Sequence, residues 1–112
     1  MGKLSIGEVV FVPFPYSDLS GAKLRPAVVL ASAERDDWLL CQVTSRSYTD
    51  TGAVILRPAD FASGSLMAES YARPAKLFTA HESLVRRQVG QLEPETLSRI
   101  VERTVAVLRG TH

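Results

Sequence analysis

Two short apolar segments, rich in β-branched residues, flank a polar loop in the first third of the chain. Their composition and length predict strands at residues 8–14 and 26–32. Pro13 and Pro15 cannot donate a ladder hydrogen bond, so they predict an edge-like exit from the first strand. Arg25 directly precedes Pro26 at the predicted start of the second strand, and an arginine held at the start of a strand can bind a phosphate. These segments favour a β-rich fold with a cation at one strand end.

Turn residues at short intervals predict further strands along the chain. A tight turn at Asp36–Asp37 precedes a central strand at residues 38–44, and strands follow at residues 51–56, 70–79 and 88–92. Pro74 lies within the predicted strand 70–79 and indicates a bulge or an edge position. Residues 59–67 predict a short crossover, with a helical turn near residues 59–61 and a helix stop at residues 63–65.

The period of the apolar residues changes near the C-terminus. From Pro94 to Gly110, apolar residues recur at spacings of three and four, which predicts one amphipathic helix that packs on the core. Proline suits the first helical position and glycine suits the position after the end. Strands followed by one packed helix predict an α+β fold, a small and partly open antiparallel barrel with a C-terminal helix.

Composition narrows the class of protein. The chain has 112 residues, 46% of them hydrophobic, which predicts a single domain over residues 1–112. Its apolar runs are shorter than a membrane span and no secretory signal pattern opens it, so a cytoplasmic protein is expected. The one cysteine, Cys41, lies in an apolar run and is interpreted as a buried residue.

Net charge of +1 does not favour binding to duplex DNA, because that affinity grows with the number of phosphates neutralised. The cations are nevertheless clustered along the chain, which leaves a local basic groove as an alternative to a solvated charged face. The clustered residues are Lys23, Arg25, Arg46, Arg73, Lys76, Arg86 and Arg87.

Several of these segments, in this order and spacing, resemble the MazF/PemK family of toxin endoribonucleases. The segments are residues 7–10 (GEVV), 23–30 (KLRPAVVL), 42–45 (QVTS), 70–78 with Ser70, Arg73 and Lys76-Leu77-Phe78, and 89–92 (VGQL). The resemblance covers residue 7 to about residue 108. It implies an SH3-like barrel and a homodimer with its active groove at the interface. It also implies sequence-selective cleavage of single-stranded mRNA without a metal or another cofactor. A MazE-like antitoxin is expected to inhibit the toxin, and the toxin is expected to bind DNA only through that antitoxin.

Cleaving RNA without a metal requires activation of the ribose 2′-OH, stabilisation of charge on the phosphorane and a proton for the departing 5′-oxygen. Arg25 suits the charge stabilisation, because its guanidinium pairs two phosphate oxygens and stays protonated. A surface salt bridge to Asp18 or Glu8 is the alternative for Arg25. The resemblance gives Thr44 a catalytic role, whereas from the residues alone Thr44 and Ser45 equally fit a polar turn.

The other candidate residues are predicted to bind RNA rather than to react. Ser45 and Lys23, which are near Thr44 and Arg25 in the sequence, are predicted to contact RNA beside them. Arg46, directly after Ser45, is a further cation that is predicted to bind RNA. By resemblance Arg73 holds a neighbouring phosphate, with Lys76 as a further backbone contact. Tyr16 in the first loop is a candidate for stacking on an unpaired base, with a ring that covers the barrel end as the alternative.

The chain departs from part of the family where an acidic residue is expected shortly after Arg73, because Ala75 stands there. The general base is therefore unassigned. His81, with a reference pKa near 6.5, is a candidate that lies in a polar turn beside Glu82 and Ser83.

Two other functions fit the predicted fold. A toxin of the CcdB family has this fold and poisons DNA gyrase by binding it, but the chain ends Leu-Arg-Gly-Thr-His and lacks the expected Trp-Gly-Ile-like tail. An inactive RNA-binding domain that keeps the barrel is the second alternative, and Ala75 supports it.

Overall fold

The computed structural model describes residues 4–15, 21–46 and 52–111. In these ranges the strands are β1 (Glu8–Pro15), β2 (Ala22–Ser32), β3 (Asp37–Thr44), β4 (Val54–Leu56), β5 (Phe61–Gly64), β6 (Ser70–His81) and β7 (Arg87–Leu92). Helix α1 (Pro94–Arg109) follows, and 3₁₀ turns lie at Pro58–Asp60 and Glu82–Leu84.

All strand pairs are antiparallel and form one sheet in the order β4-β6-β3-β2-β1-β7-β5. The sheet curls into a nearly closed barrel, and α1 packs against β6 and β4. This architecture confirms the predicted α+β class, an SH3-like antiparallel barrel with a C-terminal helix. The predicted strands correspond to β1, β2, β3, β4, β6 and β7. However, β4 begins three residues later than expected and β2 begins four residues earlier, so Arg25 and Pro26 lie inside β2 and not at its start.

Alternation along the strands divides the interior into two apolar clusters. On one face, Val28, Cys41 and Val43 pack with Ile100 of α1. On the other face, Val10, Val12, Val29 and Leu40 pack with Trp38, and Phe14 covers this cluster with its ring against Phe78. Successive residues of β1, β2 and β3 therefore serve opposite cores, which fixes the register because a one-residue slip would exchange the two faces.

Residues 61–64 form strand β5, so the crossover predicted for residues 59–67 is wrong. Its first residues do form a short turn, the 3₁₀ turn Pro58–Asp60, but the chain then pairs with β7. Gly64 has φ +67°, and a Cβ on it would overlap the carbonyl oxygen of Val89. Gly64 therefore allows close backbone approach between two strands, and does not stop a helix.

Helix α1 begins and ends where the sequence predicts. Pro94 occupies its first turn, and Gly110 ends it in the left-handed conformation at φ 71°. Its buried face is Thr96, Ile100 and Thr104, whereas three members of the predicted core stripe are exposed, namely Val101, Val105 and Leu108. Among the described helices, none has the length and apolar character that crossing a membrane requires.

Candidate active site

A groove opens where β2 and β3 stop pairing. The hydrogen-bonded register between these strands reaches its end at Ala27 and Gln42. Continuing that register by two residues places Arg25 opposite Thr44. Pro26 has no N–H to donate, so the ladder loses a rung and the strands are free to separate. The Arg-Pro dipeptide therefore both ends the ladder and holds Arg25 in extended backbone, since a residue before proline is disfavoured from the helical region.

The groove has a volume of about 270 Å³, and both polar and apolar residues line it. The polar lining residues are Lys23, Arg25, Thr44, Ser45 and Ser70. The apolar lining residues are Phe11, Leu24, Pro26, Val43, Leu66, Met67 and Ala68. Four of the residues predicted from sequence thus lie together in one concave site.

Arg25 is half-buried at this groove, and its guanidinium makes no hydrogen bond or ion pair with any other described residue. The salt bridge to Glu8 considered from sequence is not formed, because the Glu8 carboxylate accepts the Ser5 N–H at 3.0 Å. Asp18, the other partner considered, lies outside the described residues. A guanidinium at a groove with unused N–H groups is suited to bind an anion.

Thr44 is buried, with 6% of its surface exposed, and its hydroxyl has a fixed partner. Thr44 Oγ1 accepts the backbone N–H of Arg46 at 3.2 Å. That bond uses a lone pair and leaves the hydroxyl proton able to donate. The polar turn expected as the alternative is therefore present, and it orients the same hydroxyl that lines the groove.

The remaining predicted RNA-binding residues are placed differently. Arg46 is exposed directly after Ser45 but does not line the groove. Arg73 and Lys76 lie in β6 within a break in its register with β3, where only Gln42 separates the paired residues Cys41 and Val43. This bulge, predicted from Pro74, carries both cations away from the groove lining. Tyr16 lies outside the described residues.

His81 is not close to the groove. It pairs with Asp37 at the start of β3, whereas Thr44 is at the other end, about 23 Å away at 3.3 Å per residue. The Nδ1 atom of His81 accepts the Ser83 N–H at 3.1 Å and so caps a 3₁₀ turn. Cys41 is fully buried, and burial raises the pKa of its thiol to about 12, which leaves no thiolate for nucleophilic chemistry.

Sequence reasoning missed the apolar lining residues Leu66, Met67 and Ala68, because it assigned them to a crossover. Met67 is fully exposed, at 103% of its reference area. A methionine and a leucine directly after the polar Ser-Gly-Ser run were the available signal, since exposed apolar residues of this kind often mark a binding surface.

Comparisons with known proteins agree with this geometry. The family model described as PemK-like, MazF-like toxin of type II toxin-antitoxin system matches residues 5–108. A comparison with curated proteins finds no match. Three similar solved structures show the same fold at low sequence identity.

The MazF crystal structure (Form-I) from Deinococcus radiodurans has 19% identity, covers 97% of this chain and 99% of its own, and gives a TM-score of 0.77. The MazE-MazF structure (Form-II) from the same organism has 19% identity, 100% coverage of both chains and a TM-score of 0.74. An endoribonuclease from Mycobacterial species in complex with its cognate antitoxin has 18% identity, covers 100% of this chain and 98% of its own, and gives a TM-score of 0.68. Because the family model spans nearly the whole chain, the protein belongs to the PemK-like, MazF-like toxins of type II toxin-antitoxin systems.

Proposed function

We propose that the protein is an endoribonuclease that cleaves single-stranded RNA, selectively by sequence and without a metal, in the groove between β2 and β3. The observation that carries this proposal is the position of Arg25 opposite Thr44 where the ladder ends. A cation and an oriented hydroxyl face one concave site, which is an arrangement that can hold a phosphate between them. Residues 1–112 act as one domain in this proposal.

The reaction begins when the ribose 2′-oxygen attacks the adjacent phosphorus, and it ends when the bond from phosphorus to the 5′-oxygen breaks. The products are a 2′,3′-cyclic phosphate and a 5′-hydroxyl. Negative charge builds on the phosphorane oxygens, and Arg25 stabilises that charge through its guanidinium. Thr44 donates its hydroxyl proton in a hydrogen bond to a phosphate oxygen and orients the group.

Proton transfer is a separate requirement of this reaction. The described residues that line the groove include no carboxylate and no imidazole. The position where part of the family has an acid is Ala75, which is exposed on β6 and outside the groove lining. We therefore assign charge stabilisation and orientation to Arg25 and Thr44, and we assign neither of them to abstraction of the 2′-proton.

The mixed lining of the groove suits an unpaired nucleotide. Lys23 and Ser45 contact its phosphate, and Arg46 adds a cation directly after Ser45. Residues 66–68 offer apolar surface to an unstacked base, which duplex RNA does not present. Contacts of RNA with Arg73, Lys76 and Tyr16 stay predictions.

The partners follow from the same surface. Two of the similar structures are the MazE-MazF structure and an endoribonuclease in complex with its cognate antitoxin, and we propose that an antitoxin segment with acidic residues covers the cations of this groove. The toxin works as a homodimer in the cytoplasm and reaches DNA only through its antitoxin.

The test is cleavage of a long single-stranded RNA in excess EDTA, with mapping of the new ends. Arg25→Ala and Thr44→Val are compared with Arg109→Ala, a matched loss of an exposed arginine at the end of α1. Wild type and Arg109→Ala are expected to give the same discrete cuts with 2′,3′-cyclic phosphate ends. Thr44→Val is expected to lose about 10²–10³ in kcat, the usual effect of removing one donor to a developing oxyanion.

Other results would contradict specific parts of the proposal. Full activity in Arg25→Ala would show that Arg25 and its groove do not form the catalytic site. Cleavage only after Mg²⁺ is restored would refute metal independence. Intact RNA with folded wild-type protein would support a gyrase-binding toxin or a non-catalytic RNA-binding domain.

A further inference from the structure

A second concave site lies between β4, the following 3₁₀ turn and α1, outside the groove described above. Its volume is about 420 Å³. Three arginines from two different elements converge on it, Arg57 after β4 and Arg99 and Arg103 on α1, with Asp60 as the acidic member. We call this site the arginine pocket.

Each guanidinium in the arginine pocket makes its contacts with described residues through one of its own nitrogens. Arg103 Nη1 donates to the carbonyl oxygens of Gly52 and Ala53, at 3.3 and 2.6 Å. Arg57 donates through Nε to Glu69 at 2.8 Å. Carbonyl oxygens orient Arg103 without cancelling its charge, and no described carboxylate forms an ion pair with it. The remaining guanidinium nitrogens are therefore positioned for another acceptor.

Asp60 is the one carboxylate among the described residues that line the arginine pocket, and it already accepts hydrogen bonds. Asp60 Oδ2 accepts the Arg57 backbone N–H at 2.9 Å, and Oδ1 accepts the Thr96 hydroxyl at 2.9 Å. Its contact with Arg99 Nη2 is longer, at 3.4 Å. Asp60 thus holds the turn against α1. Because Glu69 pairs with Arg57 and Asp60 pairs with Arg99, the described groups leave one formal positive charge, that of Arg103, for an anion.

The arginine pocket is close to the groove. Ser70, which lines the groove, pairs with Leu56, and Arg57 is the next residue along the chain. One strand spacing and one residue step separate their backbones by less than about 10 Å. A backbone separation of this size is within the reach of a few nucleotides of one RNA strand.

We propose that the arginine pocket binds a backbone phosphate of the same RNA strand that the groove cleaves, an inference that rests on the proposed function. Arginine forks match phosphate oxygens in geometry and charge. An acidic protein segment is disfavoured because protein interfaces depend on buried apolar anchors. Of the described apolar residues that line the pocket, Val54 is 3% exposed, Ala53 is small, and Ile55 is half-buried, so the pocket offers one apolar anchor at most.

The test measures binding of random-sequence 2′-O-methyl RNA, which cannot be cleaved because the attacking 2′-OH is blocked. Oligonucleotides of five and of twenty residues are compared across a salt series. The variants are Arg99→Gln alone, Arg99→Gln with Arg103→Gln, and Arg109→Gln as a matched removal of charge farther along the same helix. Arg99→Gln keeps the proposal testable if removing the Arg103 bonds to β4 impairs folding.

Wild type and Arg109→Gln are expected to bind the long RNA alike. Both pocket variants are expected to bind it more weakly, by about 10-fold for the double variant at low salt, and to lose less affinity for the five-residue RNA, which has fewer phosphates to reach from the groove to the pocket. The slope of log affinity against log salt is expected to fall by about 0.7 for each phosphate that the variant no longer neutralises.

Equal binding of the long RNA by wild type and the double variant would overturn the proposal. So would a variant that loses only the binding of a polyglutamate peptide, which would assign the pocket to an acidic protein. Cleavage of unmodified RNA by wild type, measured in parallel, separates this failure from failure of the proposed function, since the groove alone carries the reaction.

Discussion

Asp60 fastens the turn after β4 to the first turns of α1, and its removal is expected to have a large effect on stability. Its carboxylate accepts the Arg57 N–H and the Thr96 hydroxyl, each at 2.9 Å. Thr96 is 2% exposed, so Asp60→Ala leaves a buried hydroxyl that has lost this acceptor. A cavity in the packing is not the main cost, because the change removes hydrogen-bond acceptors from donors that cannot all reach water.

The magnitude follows from the separate contacts. An unsatisfied buried hydroxyl costs about 1–3 kcal/mol, and losing the acceptor for the first N–H of a helical turn costs about 1 kcal/mol. Arg99 is half exposed and its contact is long, so it adds less than about 1 kcal/mol. We expect Asp60→Ala to lower the free energy of unfolding by about 2–4 kcal/mol. Glu69→Ala breaks a shorter ion pair, 2.8 Å to Arg57, yet is expected to cost less than about 1 kcal/mol because both side chains are exposed.

Urea unfolding at one fixed protein concentration measures this difference, with the single tryptophan, Trp38, as the fluorescent probe in the core. The midpoint for Asp60→Ala is expected about 1–2 M below wild type, with an unchanged slope. The midpoint for Glu69→Ala is expected near wild type. Equal effects of the two substitutions would refute the reasoning that the buried donors, and not the ion pair, give Asp60 its importance.

The same contacts give this stabilisation a pH dependence. Burial acts to raise the pKa of Asp60, but the Arg57 N–H, the Thr96 hydroxyl and the Arg99 charge together lower it below its usual value. A lowered folded-state pKa means that the stabilisation is complete above the unfolded pKa, near 3.9, and is lost as the pH falls through the folded value. The gap between wild type and Asp60→Ala is therefore expected to be constant from pH 7 to pH 5 and to narrow below about pH 4.

Four other positions give specific expectations. A Cβ on Gly90 would overlap the Ser63 carbonyl oxygen, so Gly90→Ala is expected to cost more than about 2 kcal/mol in urea unfolding, whereas Gly110→Ala, with open space but φ +71°, costs about 1 kcal/mol. The Cys41 thiol, whose pKa burial raises to about 12, is expected to react with an aromatic disulfide at pH 8 only after urea unfolds the protein, and rapid reaction of the native protein would contradict its burial. His81→Gln is expected to leave the RNA cleavage rate and its pH profile unchanged, and a loss of more than tenfold would bring the histidine back into the mechanism.

Local sequence pattern was sufficient for most elements of the fold. Long apolar or alternating runs located β1, β2, β3 and β6, and the spacing of apolar residues between Pro94 and Gly110 located α1. The formation of β5 has a different origin, because four residues that end in a Ser-Gly pair contain no usable period. Gly64 takes its place only because Gly90, distant in sequence, lets the two backbones approach. The position of β5 therefore depends on this long-range contact, and neither of the two segments predicts it alone.

The candidate site was also predictable only in part from the local sequence pattern. Thr44 ends β3, a strand that local pattern locates, whereas Arg25 lies inside β2, whose start the pattern placed too late; the groove contains both residues. The bulge predicted at Pro74 is confirmed, but its consequence for Arg73 and Lys76 depends on how many residues the bulge inserts opposite Gln42. Alternation cannot be counted through such a break, so the direction of these two side chains was beyond sequence reasoning.

The two prolines that face β3 explain why the groove forms at this end of the sheet. Pro26 ends the pairing of β2 with β3, and Pro74 lies in the bulge that interrupts the pairing of β6 with β3 before it resumes at Val43 and Thr44. The end of β3 is therefore held on the β6 side and open on the β2 side. A gap between two strands in the middle of a sheet usually leaves a main-chain N–H without a hydrogen-bond acceptor, but proline has no N–H. The missing donor makes the opening tolerable, and the residue before that proline is the arginine that the opening presents to a substrate.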